Sequence, residues 1–235
     1  AEEKPGSTLA AMRTSVQTWD GHSPDNSVAA AIFHQWNLEN MKLLFDELPP
    51  EKLTEYLKTA AHWYAYKRLL TLTDHLLWDN PNTSIKENAH QIISLGLKST
   101  LKYFQTNFGN NIDQWTWGKI HKLTYVHPLG RVSPLNYFFN LGPYAAPGGY
   151  NQINNLRSIG YEHGFKVESG PSTRRVIDLA DPRHSWGILP LGNSGHQLSP
   201  FYKNQRESYL NNNHREQTMD WDKIKQTPLK VEYHP

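Results

Sequence analysis

Ser194 stands two residues before His196 in the run Gly192-Asn193-Ser194-Gly195-His196. A hydroxyl beside an imidazole is the start of a nucleophile–base pair. On a strand the two side chains would share a face. A glycine-rich stretch need not be a strand, and the run departs from a G-x-S-x-G elbow because glycine follows the serine directly. The competing use is a tight turn that exploits glycine's positive-φ freedom. His121 and His127 lie six apart around Tyr125. Zinc helices space their histidines by four, and no third ligand lies nearby, so the spacing supports no metal site. The other histidines read as surface or hydrogen-bonded structural residues. Asp178 sits between Ile177 and Leu179 in an apolar strand. Turned inward it would need a partner, and Arg174, four residues earlier on the same face, is the obvious one. That pair reads as a structural salt bridge, or as an acid that orients a catalytic group. Trp115 and Trp117 share one face of an extended segment, where they would stack a sugar or base, or pack in a core. An N-terminal serine can use its own α-amine as base. Ala1 has no such side chain, and Gly6-Ser7 reads as part of a flexible polar lead-in.

The elements that must position these residues change in kind along the chain. Residues 1–24 read as the lead-in. Residues 25–112 read as helical. After Asp25-Asn26-Ser27, which can cap a helix, Val28, Ile32, Trp36, Met41, Leu44 and Phe45 recur near helical spacing. Pro49-Pro50 breaks this run and can open the next helix. Leu53, Leu57, Ala60, Ala61, Tyr64, Leu69 and Leu70 predict a second helix. Ser84 with Glu87 forms a possible capping box. Ala89, Ile92, Ile93, Gly96, Leu97, Leu101 and Phe104 predict a third, and Gly109 is its stop signal. Residues 113–235 read as a loop-rich antiparallel β part with a C-terminal helix. Thr173–Leu179 and Ser185–Pro190 predict an antiparallel hairpin across a five-residue connection. A last helix is expected near Tyr202–Leu210 and a short turn at Trp221–Ile224. The fold class read from this order is α+β.

Composition narrows the function. Of 235 residues, 24 are Lys or Arg and 22 are Asp or Glu, a net charge of +2. A charge this close to zero argues against nucleic-acid or membrane binding driven by bulk charge. Cysteine is absent, which removes disulfides, thiolate nucleophiles and cysteine-based metal sites together. No apolar run approaches the ~20 residues that span a bilayer. The hydrophobic fraction is only 37%, but 8 Trp, 12 Tyr and 8 Phe supply bulk for a core. The start at Ala1 rather than Met suggests a processed or truncated chain.

The second half resembles the penicillin amidase (penicillin acylase) family, which includes acyl-homoserine-lactone and cephalosporin acylases. The residues that carry the resemblance are Trp115-Thr116-Trp117-Gly118-Lys119-Ile120-His121, His127-Pro128-Leu129 and Gly148-Gly149-Tyr150-Asn151-Gln152-Ile153-Asn154. They continue through Gly170-Pro171-Ser172-Thr173-Arg174-Arg175-Val176-Ile177-Asp178-Leu179. Last come Gly192-Asn193-Ser194-Gly195-His196-Gln197-Leu198-Ser199-Pro200 and Tyr202-Lys203-Asn204-Gln205. Residues 19–40 are similar more loosely. The order and spacing of the pieces, rather than any one of them, make the match specific.

The resemblance implies an N-terminal-nucleophile hydrolase with an αββα sandwich, of which this chain is the C-terminal part of the β chain. Such enzymes cut themselves from a precursor into α and β chains and are commonly exported to the bacterial periplasm. The nucleophilic serine, its oxyanion asparagine and the calcium ligands of some members are expected upstream, so no catalytic residue, cofactor or metal is carried onto this sequence. Asp178 matches loosely an acid that orients an active-site histidine in some members, with Arg174 beside it. Gly192, Asn193, Ser194, Gly195, His196, Ser199 and Pro200 carry over as a structural motif. The implied partners are the α chain and the N-terminal part of the β chain, with an acyl amide as the parent's substrate. Two rivals stand beside this reading. One is a non-catalytic module that binds a ligand through exposed aromatics, and the other is a self-contained serine hydrolase built on Ser194 and His196.

Overall fold

A computed structural model of the chain describes residues 4, 6–59, 61–81, 83–158 and 164–227. Ala1 and Ala60 lie outside the described residues. The chain divides into two compact units at Ser169/Gly170.

The first unit is built on helices. Helix α1 covers Thr8–Gln17, inside the expected lead-in, and its N-cap Ser7 accepts from the Ala10 amide. Leu9, Met12 and Val16 pack it on the core, with Met12 fully buried. Helix α2 runs Val28–Leu44 from an N-cap at Ser27. Helix α3 is Pro50–Leu57 with proline in its first turn, and α4 is Ala61–Leu69. The single helix expected over 53–70 is thus two. Lys58 and Thr59 turn their amides back to the carbonyls of Glu55 and Tyr56, which tightens the last turn and ends α3. A 3₁₀ turn at Leu76–Trp78 leads toward α5, Ala89–Phe108.

The cap of α5 is Asn88 with Gln91, not Ser84 with Glu87. Glu87 is spent on the preceding loop, where it accepts from the Asn80 amide and the Thr83 hydroxyl. Gly109 ends α5 at φ 77°, as its stop signal requires. Helices α2 and α5 pack along each other between two apolar clusters. Ile32, Leu38, Leu97, Phe104, Trp115 and Trp117 belong to one, and Met41, Leu44, Leu57, Leu69, Trp78 and Ile92 to the other. Each fully buried large side chain contributes about 1.5–3 kcal/mol.

After a 3₁₀ turn at Ile112–Gln114 come the short helix α6, Trp117–Ile120, strand β1, Lys122–Tyr125, and a 3₁₀ turn at Pro128–Arg131. Helix α7 (Asn136–Phe139), β2 (Leu141–Ala145), β3 (Arg157–Ser158) and β4 (Lys166–Ser169) follow. The sheet order is β2-β1-β4-β3. It corrects the expectation of a purely antiparallel second half, because β1 and β4 run parallel.

The second unit holds the hairpin read from the sequence. β5 (Arg174–Ile177) pairs antiparallel with β6 (His184–Ile188) in the register Val176↔Trp186. Helix α8 is Arg206–Leu210, and β7, Arg215–Thr218, completes an antiparallel sheet of order β5-β6-β7. Helix α9 is Trp221–Lys225. Mixed helices and sheets make the chain α+β.

Candidate functional site

Trp117 is the centre of the best-built polar cluster. Its amide donates to Ser27 O at 2.9 Å and the next amide, Gly118, to Asp25 O at 2.6 Å, which ties α6 to the start of α2. Gly118 has to be glycine: a Cβ there would lie 2.8 Å from the Ala145 Cβ. The Trp117 indole N–H donates to Gly148 O at 2.8 Å. Its ring is stacked between two imidazoles, His34 at 4.4 Å and His121 at 4.5 Å between centroids. His121 is fully buried, with Nδ1 2.7 Å from Ala146 O and Nε2 3.0 Å from Leu156 O. Burial pushes His121 below the ordinary histidine range, and the two carbonyls pull it part of the way back. A neutral imidazole has one N–H. It therefore donates to only one of these carbonyls at a time.

His34 is pushed further, to about 3, first by burial and then by the charge of His121. Its Nε2 is buried with no hydrogen-bond partner. Both rings are therefore neutral across the physiological range, and His121 is held by backbone rather than aimed at a hydroxyl. It is a clamp joining α6 to the loops around Ala146 and Leu156. His34 and Trp117 also line a pocket with Lys58, His62, Trp63, Tyr150, Arg157 and Phe165. Trp63 stacks on Tyr150, and the Arg157 guanidinium lies 5.3 Å from the Tyr150 ring. Among the described residues the lining is mainly aromatic and basic.

The residues singled out in the sequence fall into separate places. The Ser194 hydroxyl accepts from the backbone amide of His196 at 3.1 Å, which makes a local turn and not a hydroxyl–imidazole dyad. The Ser199 hydroxyl accepts likewise from the Phe201 amide. Gly192 and Gly195 do not take positive φ, contrary to the tight-turn reading. Gly192 is required by proximity instead, since a Cβ there would lie 2.0 Å from the Phe201 carbonyl oxygen. Asn193, Gly195, His196 and Pro200 are exposed along this loop.

Asp178 is exposed, not turned inward, and its carboxylate accepts from the Ala180 amide at 2.9 Å. Arg174 lies 3.7 Å over the Tyr209 ring and donates to Tyr209 O and to Asn212 Oδ1. The strand-face pair expected between the two is replaced by these contacts, because Asp178 falls just past the end of β5.

Trp115 ends a 3₁₀ turn and Trp117 opens α6, so the two do not share the face of an extended segment. They are 0% and 1% exposed, which removes them as a stacking platform. His127 caps the 3₁₀ turn at Pro128 and stacks on Phe139, apart from His121 in role. Among the described residues no three His, Asp or Glu side chains converge as a metal site would need.

His34 and His62 were legible only as structural or surface histidines. The one signal for His34 is its place between Phe33 and Trp36 on the apolar side of α2. Its stacking partner is 83 residues away in sequence, at Trp117.

Comparison with known proteins places the chain in a family. The chain is 28% identical over 206 residues to the acyl-homoserine lactone acylase QuiP of Pseudomonas syringae pv. tomato, covering 83% of this chain and 24% of that protein. It is 27% identical over 203 residues to the protein of the same name from Pseudomonas fluorescens, covering 84% and 24%. The chain thus spans about a quarter of the length of the curated relatives it matches. Superposition on a thermostable penicillin G acylase from Alcaligenes faecalis gives a TM-score of 0.48 at 15% identity, over all of this chain and 44% of that one. The profile of the penicillin amidase family matches residues 2–226, nearly the whole sequence. By that match the chain belongs to the penicillin amidase family, whose members are amide-hydrolysing acylases.

Proposed function

We propose that this chain is the C-terminal scaffold portion of a penicillin-amidase-like acylase whose nucleophile lies outside it. The parent hydrolyses a linear amide that joins an acyl group to an amine, such as a β-lactam or an acyl-homoserine lactone. An N-terminal serine attacks the carbonyl, with its own α-amine as base. The tetrahedral oxyanion is held by an asparagine side chain and a backbone N–H. The amine leaves with a proton, and water then splits the acyl-enzyme to release the acid. Both chains of the parent, and the calcium of some family members, belong to this reading, as does an αββα sandwich to which the present sheets contribute. Export to the periplasm goes with it. Among the described residues no helix is long and apolar enough to cross a membrane.

The observation that carries the reading is how the motif side chains are used. The Ser194 hydroxyl, both nitrogens of His121 and the Trp117 indole all meet backbone groups of this chain. They build shape, and these side chains form no nucleophile–base pair with one another. The test is turnover of a chromogenic phenylacetyl amide and of a long-chain acyl-homoserine lactone. The purified chain is expected to be inactive alone and to support turnover once the rest of the parent is supplied. Turnover by the chain alone that is lost in Ser194→Ala would instead establish a self-contained serine hydrolase.

A further inference from the structure

The pocket beside Trp117 lies wholly within the first unit, where α2, the end of α3, α6 and β3 meet. Its space of about 30 Å³ is small. A buried water needs roughly 10–15 Å³, so the space holds about two waters, or one carboxyl group. Three features of the wall select an occupant. His34 brings an Nε2 that is buried with no hydrogen-bond partner. A neutral imidazole carries one N–H, and an acceptor arriving at Nε2 fixes the proton there. Arg157 lies over the Tyr150 ring, a contact that uses the ring's face and leaves the guanidinium's N–H edge to a carboxylate. The remaining wall is apolar: the Trp117 ring sits 5.2 Å from that of Phe165, and Trp63 stacks on Tyr150.

We propose that this cavity binds a small organic acid, its carboxyl group held by His34 Nε2 and Arg157 and its short apolar tail lying along the rings of Trp63, Tyr150 and Phe165. A cationic occupant would be repelled by Arg157 and by Lys58, which also lines the cavity. A purely apolar occupant would leave His34 Nε2 unpaired. A carboxylate accepts from both groups, and its charge is paired with the guanidinium where the surroundings are apolar. The tail gains contact with ring faces that a bare inorganic anion would leave empty. The assignment goes beyond the proposed function and does not depend on where the acylase nucleophile lies.

The test titrates the purified 235-residue chain with sodium butyrate and follows the indole N–H resonances of Trp63 and Trp117, both on the cavity wall, by NMR. Saturable shifts in the millimolar range are expected for so small a ligand. Butyramide keeps the tail and lacks the charge, and inorganic phosphate has the charge and lacks the tail. Each is expected to bind at least tenfold more weakly than butyrate. Arg157→Gln is expected to weaken butyrate at least tenfold, and His34→Phe, which removes one N–H donor, about threefold. The comparison of butyrate with butyramide needs no variant, so it decides the matter even if a substitution unfolds the chain. Equal affinity for butyrate and butyramide, phosphate binding as tight as butyrate, or no saturable shift at all would each overturn the assignment.

Discussion

His34 makes the folded chain sensitive to acid in a way that can be calculated. In the folded state its proton affinity is depressed to about 3 by burial and by His121, whereas an unfolded histidine titrates near 6.5. Above about pH 6.5 both states are neutral and His34 contributes nothing to the pH dependence. Below it the unfolded chain binds a proton that the folded chain refuses, so stability falls by about 1.4 kcal/mol per pH unit until the folded pKa is reached. Between pH 7 and pH 5 this amounts to about 2 kcal/mol, a large part of a typical folding free energy. His34→Phe keeps a ring against Trp117 and removes both the titration and the unpartnered Nε2. Urea unfolding followed by tryptophan fluorescence at the two pH values should show the wild type losing about 2 kcal/mol more than the variant. His121 and His62 are also lowered, first by burial, and act in the same direction in both proteins, so the difference isolates His34. Equal losses in the two proteins would refute the buried, neutral assignment.

Gly118→Ala forces a Cβ to within 2.8 Å of the Ala145 Cβ and 3.0 Å of the Asp25 carbonyl oxygen. It should cost about 1–3 kcal/mol by urea denaturation. Trp117→Phe leaves Gly148 O without its indole donor and should cost about 1–3 kcal/mol in the same assay. Gly192→Ala places a Cβ on the Phe201 carbonyl oxygen and should speed exchange of the Ser194 amide, which donates to that oxygen. Asp178→Asn keeps the oxygen that accepts from Ala180, so its unfolding free energy in urea should stay within the range of a neutral surface change, about 0.5 kcal/mol.

The helices that could be read from the sequence were those with a long stripe and strong ends. Ser27 before Val28 and Gly109 after Phe108 mark α2 and α5 because a cap and a positive-φ glycine are local signals. The break between α3 and α4 was hidden because it contains neither glycine nor proline. It is made by the Thr59 hydroxyl, which donates to Tyr56 O and accepts from the Ala61 amide. Helix α1 did carry a signal in Leu9, Met12 and Val16, but its polar surroundings masked it. The β5–β6 hairpin was legible through its β-branched run and Pro182 turn. β1 and β4 were not, since a parallel pair depends on residues 44 apart meeting in space.

The site was less legible still. The family motifs marked Trp117, His121 and Gly148 as important, yet only the folded chain shows the reason. The Trp117 indole donates to Gly148 O and the His121 ring meets Ala146 O, around a stack that His34 completes from a distant helix. Glycine and histidine at such places look in sequence like turn and catalyst, and here they serve as close contact and clamp.

The most direct test of a scaffold without chemistry is covalent trapping. The parent acylase should be treated with a serine-directed acyl-phosphonate inhibitor until turnover stops, digested, and the modified peptide located by mass spectrometry. We expect the label on a serine outside this chain, with Ser194 and Ser199 unmodified. A stoichiometric label on Ser194, or on any other serine of these 235 residues, would contradict it.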